Sequence, residues 1–358
     1  MSIYNYLDNN FSYDSDTGEV RKIQVTGKST YIISLPKKWV ESLNLRQGSQ
    51  LIISRKDNNT LIIAPKEVVG STKPKESTMP VSVKDNIGSI IRKIVSLYLV
   101  GYSVIRVKVR EDRFSSVHKN EIKGFLRKKL IGAEVLSESS RELEIRVLIG
   151  HPELSLENAL RRACNIIISM YDDILTALKT LDKNLAHEVI SVDDEVDRLY
   201  LYMVRQLKAA VENEKILKVS GLSSPKDCLG YRIIVKFVER IADHLVKIAE
   251  NITLLDTPPK NSVIEKFFEI SLFAKSMFEG AINSLYKKDI ILADNVIDKV
   301  KSISIIENEL INFIEKINEP NVPILRLMVE SIRRTAEYAS DISEIVLNLY
   351  IEKSLLAT

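Results

Sequence analysis

Apolar and polar positions change their period three times along the chain. From residue 18 to 66 the pattern is short and alternating. Glu19–Thr26 sets Val20 and Val25 among Arg21, Lys22 and Gln24, and Tyr31–Leu35 is rich in β-formers, so both runs are expected as strands. Pro36 should open a short helix, Lys37–Leu43, in whose first turn its missing N–H costs nothing. Gln47-Gly48-Ser49 is a turn. Gln50–Arg55 and Thr60–Ala64 form two further strands, joined by Asp57-Asn58-Asn59. About 50 residues of short strand bury little core alone. This piece is therefore expected to complete a barrel with a second copy of itself.

Gly70–Pro80 is polar and proline-containing, and reads as a linker. A mixed α/β stretch follows. Asp85–Val100 carries Ile87, Ile90, Ile91, Ile94, Val95 and Leu97 at helical period. Tyr102–Val109 alternates as a strand. Ser116–Leu130 is a basic helix with Lys119, Lys123, Arg127, Lys128 and Lys129, expected as a solvated face rather than a nucleic-acid contact. Ala133–Ser137 and Glu142–Ile149 should close the region as a hairpin.

From Ser155 onward the helical period is almost continuous, with Ser155 and Asn158 set to cap its first helix. Breaks near Asp182–Asn184, Ser220–Asp227, Asp256–Lys260, Lys287–Asp289 and Asn318–Pro323 divide it into about six helices, an antiparallel bundle. Two sets of three repeat. Ile234–Ile252 aligns without gaps to Met328–Val346, with Glu239/Arg333, Arg240/Arg334, Asp243/Glu337 and Glu250/Glu344 as polar matches. Ala177–Leu181 matches Ala281–Leu285, with acidic clusters 12 and 13 residues after the respective Leu, at Asp193 and Asp298. The expected fold is a multidomain α+β chain: an N-terminal tail (1–17), a β-barrel completed by a second copy (18–69), a linker (70–80), a small α/β domain (81–150) and an all-α C-terminal part in two three-helix repeats (151–258 and 259–358).

Charge changes this picture. The net +3 of the 358 residues divides into −3 over 1–17, +7 over 18–75, +5 over 76–150 and −6 over 151–358. A basic front suits a polyanion partner and an acidic back suits cations. The N-terminus lacks the basic and apolar regions of a signal peptide, and Ile94–Ile105 is too short to cross a bilayer. A cytoplasmic protein is expected. Cys164 and Cys228 are too few for a disulfide framework and read as buried small hydrophobes.

Asp193 and Asp197 share one helix face, and Glu239 and Asp243 share another. Like charges at that spacing repel by roughly 0.2–0.5 kcal/mol per pair. Two such pairs on facing helices suit either a hard cation held between them or a solvated acidic face. In the second repeat, Ser302 and Arg333 stand in place of Asp197 and Glu239, so a cation site there is lost or converted. Asp294 and Asp298 are an alternative pair. No Glu-x-x-His pair, phosphate-binding glycine loop, nucleophile elbow or His-Glu-x-x-His points to an enzyme. His118, His151, His187 and His244 are scattered; the last two read as ordinary helix residues, or as contacts behind a metal.

Glu239-Arg240-Ile241-Ala242-Asp243-His244, followed by Ile248-Ala249-Glu250, resembles the signature helix of the PhoU phosphate-uptake regulators, a family of two tandem three-helix repeats. Its acidic motifs bind iron or other metal ions. The resemblance thus implies a PhoU-like bundle with iron or another divalent metal in the first repeat, on Asp193, Asp197, Glu239 and Asp243. Gly18–Ile23 and Gly27–Trp39, with the "ISLP" before the short helix, look like the SpoVT/AbrB swapped-hairpin DNA-binding domain. That resemblance implies a homodimer through the N-terminal domain, binding DNA with Arg21, Lys22, Lys28, Lys37 and Lys38. The pairing resembles archaeal phosphate-uptake regulators. It implies a transcriptional regulator or, alternatively, an adaptor to a phosphate transporter or sensor kinase whose N-terminal domain only dimerises.

Overall fold

A computed structural model describes residues 19–27, 29–55, 59–66, 74–110, 113–148 and 154–355. The expected tail 1–17, Lys28, Asp57-Asn58, His151 and the stretch 70–73 lie outside the described residues. The chain forms two compact units, residues 1–73 and 74–358.

The first unit contains β1 (Gln24–Thr26) paired antiparallel with β2 (Thr30–Ile32), helix α1 (Lys37–Ser42), and β3 (Leu51–Arg55) paired antiparallel with β4 (Leu61–Pro65). Pro36 is the cap of α1 rather than its first helical residue. The two hairpins are separate two-stranded sheets, so the expected barrel is not closed in a single chain. Leu35, Trp39, Val40, Leu51 and Ile63 are half-buried, but Pro65 is the one fully buried position among the described residues 19–66. Tyr31 is 74% exposed and Ile53 63%.

The second unit opens with β5 (Glu76–Val81), α2 (Ile87–Val100), β6 (Val104–Val109), α3 (Ser116–Lys129), β7 (Ala133–Glu138) and β8 (Glu142–Val147), in a sheet ordered β5-β6-β8-β7. Strand β5 corrects the expected linker. Met79 and Val81 point into the core, and Pro80 is tolerated because β5 is an edge strand, parallel to β6. The apolar sheet face, with Ile105, Val107, Leu143 and Ile145, packs with Ile90, Ile94, Ile122 and Leu126 of α2 and α3.

Eight helices follow: α4 (Leu156–Thr180), α5 (Lys183–Glu212), α6 (Glu214–Val219), α7 (Asp227–Thr253), α8 (Asn261–Lys287), α9 (Ile290–Val300), α10 (Ile303–Lys316) and α11 (Val322–Leu355). Ser155 caps α4 through the Asn158 N–H at 3.1 Å, as expected from the sequence. There are eight helices rather than six because Asn213 and Ser302 each open a new helix inside an expected one. Both cysteines are buried and free. One apolar core runs through both repeats.

Two matched caps set the register of the repeats. Leu181 and Lys288 adopt the left-handed conformation, and Asp182 and Asp289 then cap α5 and α9. Counted from these caps, Asp193 is eleven residues on (193 − 182) and its counterpart is Val300 (300 − 289). The expected match to Asp298 is therefore two residues out of step. That match rested on apolar periodicity, which helix neighbours share whatever their register.

The middle domain is joined to the bundle through α5. The guanidinium of Arg205, a buried residue, donates to the carbonyl oxygens of Tyr98 and, at 3.2 Å, Tyr102. It stacks over the Tyr98 ring at 4.9 Å. These carbonyls lie at the C-terminal end of α2, where the helix dipole favours a cation. Lys75 adds an exposed bridge to Glu212 at 3.0 Å.

Candidate functional site

The four carboxylates expected to share a site come from two packed helices and feel one another's charge, but among the described residues no three of them stand together as ligands of one ion. Asp193 and Asp197 lie on α5, Glu239 and Asp243 on α7, two helices packed along their length. Burial pushes the Asp193 carboxyl up to about 7, with Asp197, Asp243 and Glu239 adding to the rise and Lys129 opposing it. Burial likewise raises Glu239; Lys236 opposes this, while Asp243 and Asp197 add to it. Asp243 is raised by burial and by Asp197, against Lys236. Oδ1 of Asp193 is buried and has no hydrogen-bond partner.

Two lysines enter this cluster. Lys236, one turn before Glu239, lies over the Tyr200 ring at 5.2 Å and donates to Glu239 Oε2 at 2.5 Å. Lys129, the last residue of α3, donates to Asp197 Oδ2 at 2.7 Å and lies 2.5 Å from Asp194 Oδ1. Its side chain is 19% exposed. Burial alone would depress its ammonium, but its bonds to Asp194 and Asp197 prevail and hold it above the ordinary value. Hard carboxylate oxygens and an orphaned Asp193 oxygen suit a hard cation. Among the described residues, however, no three His, Cys, Asp or Glu side chains stand together as ligands of one ion. In this arrangement lysines supply the counter-charge.

The sequence reading missed this role of α3. Its lysines are not simply a solvated face: Lys119 reaches Glu138 at 3.0 Å, Lys123 also bonds Glu138, and Lys128 stands 3.5 Å from Asp194. Nothing in the local pattern of a basic helix separates a lysine facing water from one facing a carboxylate on another element. Of the two helical histidines, His187 is exposed. His244 faces the Tyr338 ring at 5.7 Å, and burial, with Lys247, Arg334 and Arg240 nearby, pushes it down to about 4.

In the second repeat, arginines pair with the carboxylates. Arg333 Nε lies 2.8 Å from Glu307 of α10, and Arg333 also bonds Glu337. Arg334 reaches Glu337 at 3.0 Å. Asp298 takes no part; it is exposed and pairs with Lys301 at 2.7 Å. Asp294 is exposed as well.

In the first unit, Arg21 and Lys22 precede β1, and Lys37 and Lys38 occupy the first turn of α1; all four are exposed, and Lys28 lies outside the described residues. Arg21 pairs with Glu19, and Lys37 stands 3.6 Å from Glu41. Two lysines at the positive end of a helix are electrostatically unfavourable unless an anion faces them.

Comparisons with known proteins match this division. Residues 160–252 and 268–346 match the PhoU domain, and residues 24–70 match "Antidote-toxin recognition MazE, bacterial antitoxin". The chain is similar to a phosphate-specific transport system accessory protein PhoU homolog of Borreliella burgdorferi, 28% identical over 147 residues. That match covers 38% of this chain and 65% of the relative, less than two thirds of its length. A homolog of the same description from Clostridium acetobutylicum is 25% identical over 171 residues, covering 45% of this chain and 74% of the relative. Among solved structures, PhoU from Pseudomonas aeruginosa is 18% identical with a TM-score of 0.48, covering 55% of this chain and 96% of that one.

Proposed function

Because this chain belongs to the PhoU domain family and carries a MazE/AbrB-like module in front of it, we propose that it is a cytoplasmic, DNA-binding transcriptional regulator of phosphate uptake. The observation that carries this reading is the first unit: basic, with apolar strands outward and one fully buried described residue. Such a module gains its core by pairing with a second copy, and the pair doubles its basic surface. Arg21, Lys22, Lys28, Lys37 and Lys38 are its DNA contacts. The bundle is the sensing part. A divalent ion, iron or another of similar hardness, would be held by Asp193, Asp197, Glu239 and Asp243, where its charge would offset the mutual repulsion of the carboxylates.

The names of the relatives favour a second reading. They are accessory proteins of phosphate-specific transport systems, so this chain would be an adaptor to a transporter or signalling protein and its first unit a dimerisation device. Binding of the full chain to DNA from its own upstream region, across a salt series, separates the two. Six phosphate contacts, from Arg21, Lys22 and Lys28 of two chains, give a slope of log K against log salt of about −5. Replacing all three with Ala should abolish most of that slope. No binding at low salt favours the adaptor; an unchanged slope in the variant moves the contacts to other residues.

A further inference from the structure

A helix break in the second repeat lies beside a groove. The first repeat runs α5 unbroken from Lys183 to Glu212, whereas its counterpart stops at Val300 and restarts at Ile303. Ser302 marks the break. Its N–H and its hydroxyl both donate to the Lys299 carbonyl, at 3.1 and 2.8 Å, a local bond that competes with the helical ladder. Between this break and α11 lies a space of about 580 Å³. Ile297, Val300 and Ile303 line it from the broken helix, and Tyr338, Asp341 and Glu344 line it from α11. The Tyr338 ring is held by Phe237 of α7, stacked at 5.6 Å. The volume is that of a small-molecule site, an apolar wall with a few polar groups set into it.

The charges along this groove do not balance. Lys301 is committed to Asp298 at 2.7 Å. Arg334 is committed to Glu337 at 3.0 Å, and Arg333 bonds the same carboxylate. Asp341 and Glu344 make no hydrogen bond or ion pair among the described residues. Burial holds the Asp341 carboxyl above its ordinary range, and Glu344 and Glu337 add to the rise against Arg240 and Arg334. A metal ion does not answer this excess, because among the described residues no three His, Cys, Asp or Glu side chains are placed to hold one. Asp341 and Glu344 are instead strung along α11, about 4.5 Å apart in rise, opposite an apolar wall. What matches them is a cation that is long rather than small, with apolar stretches between its charges. We propose that the groove is a binding site for a linear polyamine, whose methylenes lie along Ile297, Val300 and Ile303 and whose ammonium groups pair with Asp341 and Glu344. Charge-assisted bonds of that kind are the strong ones. The proposal stands whether or not the first repeat takes an ion and the first unit takes DNA, and it gives the second repeat a ligand of its own.

The test is calorimetric titration of the full chain with spermidine at fixed ionic strength. The wild type should bind it at one site. Asp341→Asn combined with Glu344→Gln, which keeps the size of both side chains, should bind at least tenfold more weakly. Ser340→Leu fills the groove from α11 without touching its charge and should weaken binding as much. Asp294→Asn combined with Glu309→Gln removes the same charge from exposed positions outside the groove and should bind as wild type. Mg²⁺ at equal charge should not displace spermidine. Thermal melts check that each variant is folded, and the Asn/Gln pair carries the test alone should Ser340→Leu fold poorly. No binding in the wild type overturns the proposal. So does undiminished binding in the Asn/Gln pair or in folded Ser340→Leu, or displacement by Mg²⁺, each the mark of loosely held counter-ions rather than a ligand in the groove.

Discussion

The second repeat neutralises its carboxylates with an arginine built into the same helix as one of them, whereas the first borrows a lysine from another domain. Arg333 and Glu337 lie one turn apart on α11, and Arg333 also spans to Glu307 on α10. The aligned residue in the first repeat is Glu239, itself acidic, so the counter-charge must come from Lys236 and from Lys129 on α3. Both arrangements answer the same problem, carboxylates facing each other across packed helices. The difference is in where the counter-charge comes from. A forked guanidinium between two half-buried carboxylates belongs to its own repeat. The ammonium of Lys129 arrives from a separate sheet-and-helix element.

Removing Arg333 should have the largest effect. Arg333→Met strands Glu307 and Glu337 without their partner, and a loss of about 2–4 kcal/mol is expected in urea unfolding. A loss below about 1 kcal/mol would mean that the second repeat is as loosely neutralised as the first. Asp193→Asn should act in the opposite direction. The folded carboxyl titrates at about 7 against an ordinary 3.8, so the native state resists its ionisation. The wild type therefore loses stability as pH rises from about 4 through about 7, and the Asn variant is spared that loss. In metal-free protein at pH 8 the variant should be more stable by about 1–2 kcal/mol, after discounting for solvent screening, with no difference near pH 4. Thermal melts at the two pH values check this, and a variant less stable than wild type at pH 8 would show that ionised Asp193 already has a counter-charge. The smallest effect is at Lys301→Ala. It removes a surface pair with Asp298 and should change stability by no more than about 0.5 kcal/mol. A larger loss would return Asp298 to the electrostatics of the second repeat.

Much of the architecture was legible in the sequence, and what was not has physical causes. The helix limits followed from caps and breaks that act locally: Ser155 on the Asn158 N–H, Asp182 and Asp289 at the start of their helices. The hairpins of the first unit followed from alternation. Strand β5 did not, because Pro80 interrupts its pattern and only its place at a sheet edge makes the proline harmless. At the site, the two carboxylate pairs were visible from spacing of four. Their lysine partners were not. Lys129 is 68 residues from Asp197, and which face of α3 meets α5 is decided by Leu126 and Ile122 turning to the sheet. The same limit applied in the second repeat, where Glu307 carries no signature that would pair it with Arg333.

The outward-facing strands of the first unit have a consequence for dosage. If the module pairs as proposed, leaving Tyr31 and Ile53 bare in one chain gives it a folding free energy that belongs to the pair and varies with the amount of protein present. Dilution would then unfold it, and accumulation would complete it. The number of copies in a cell would be an input of its own, rising roughly as the square of chain concentration at low abundance.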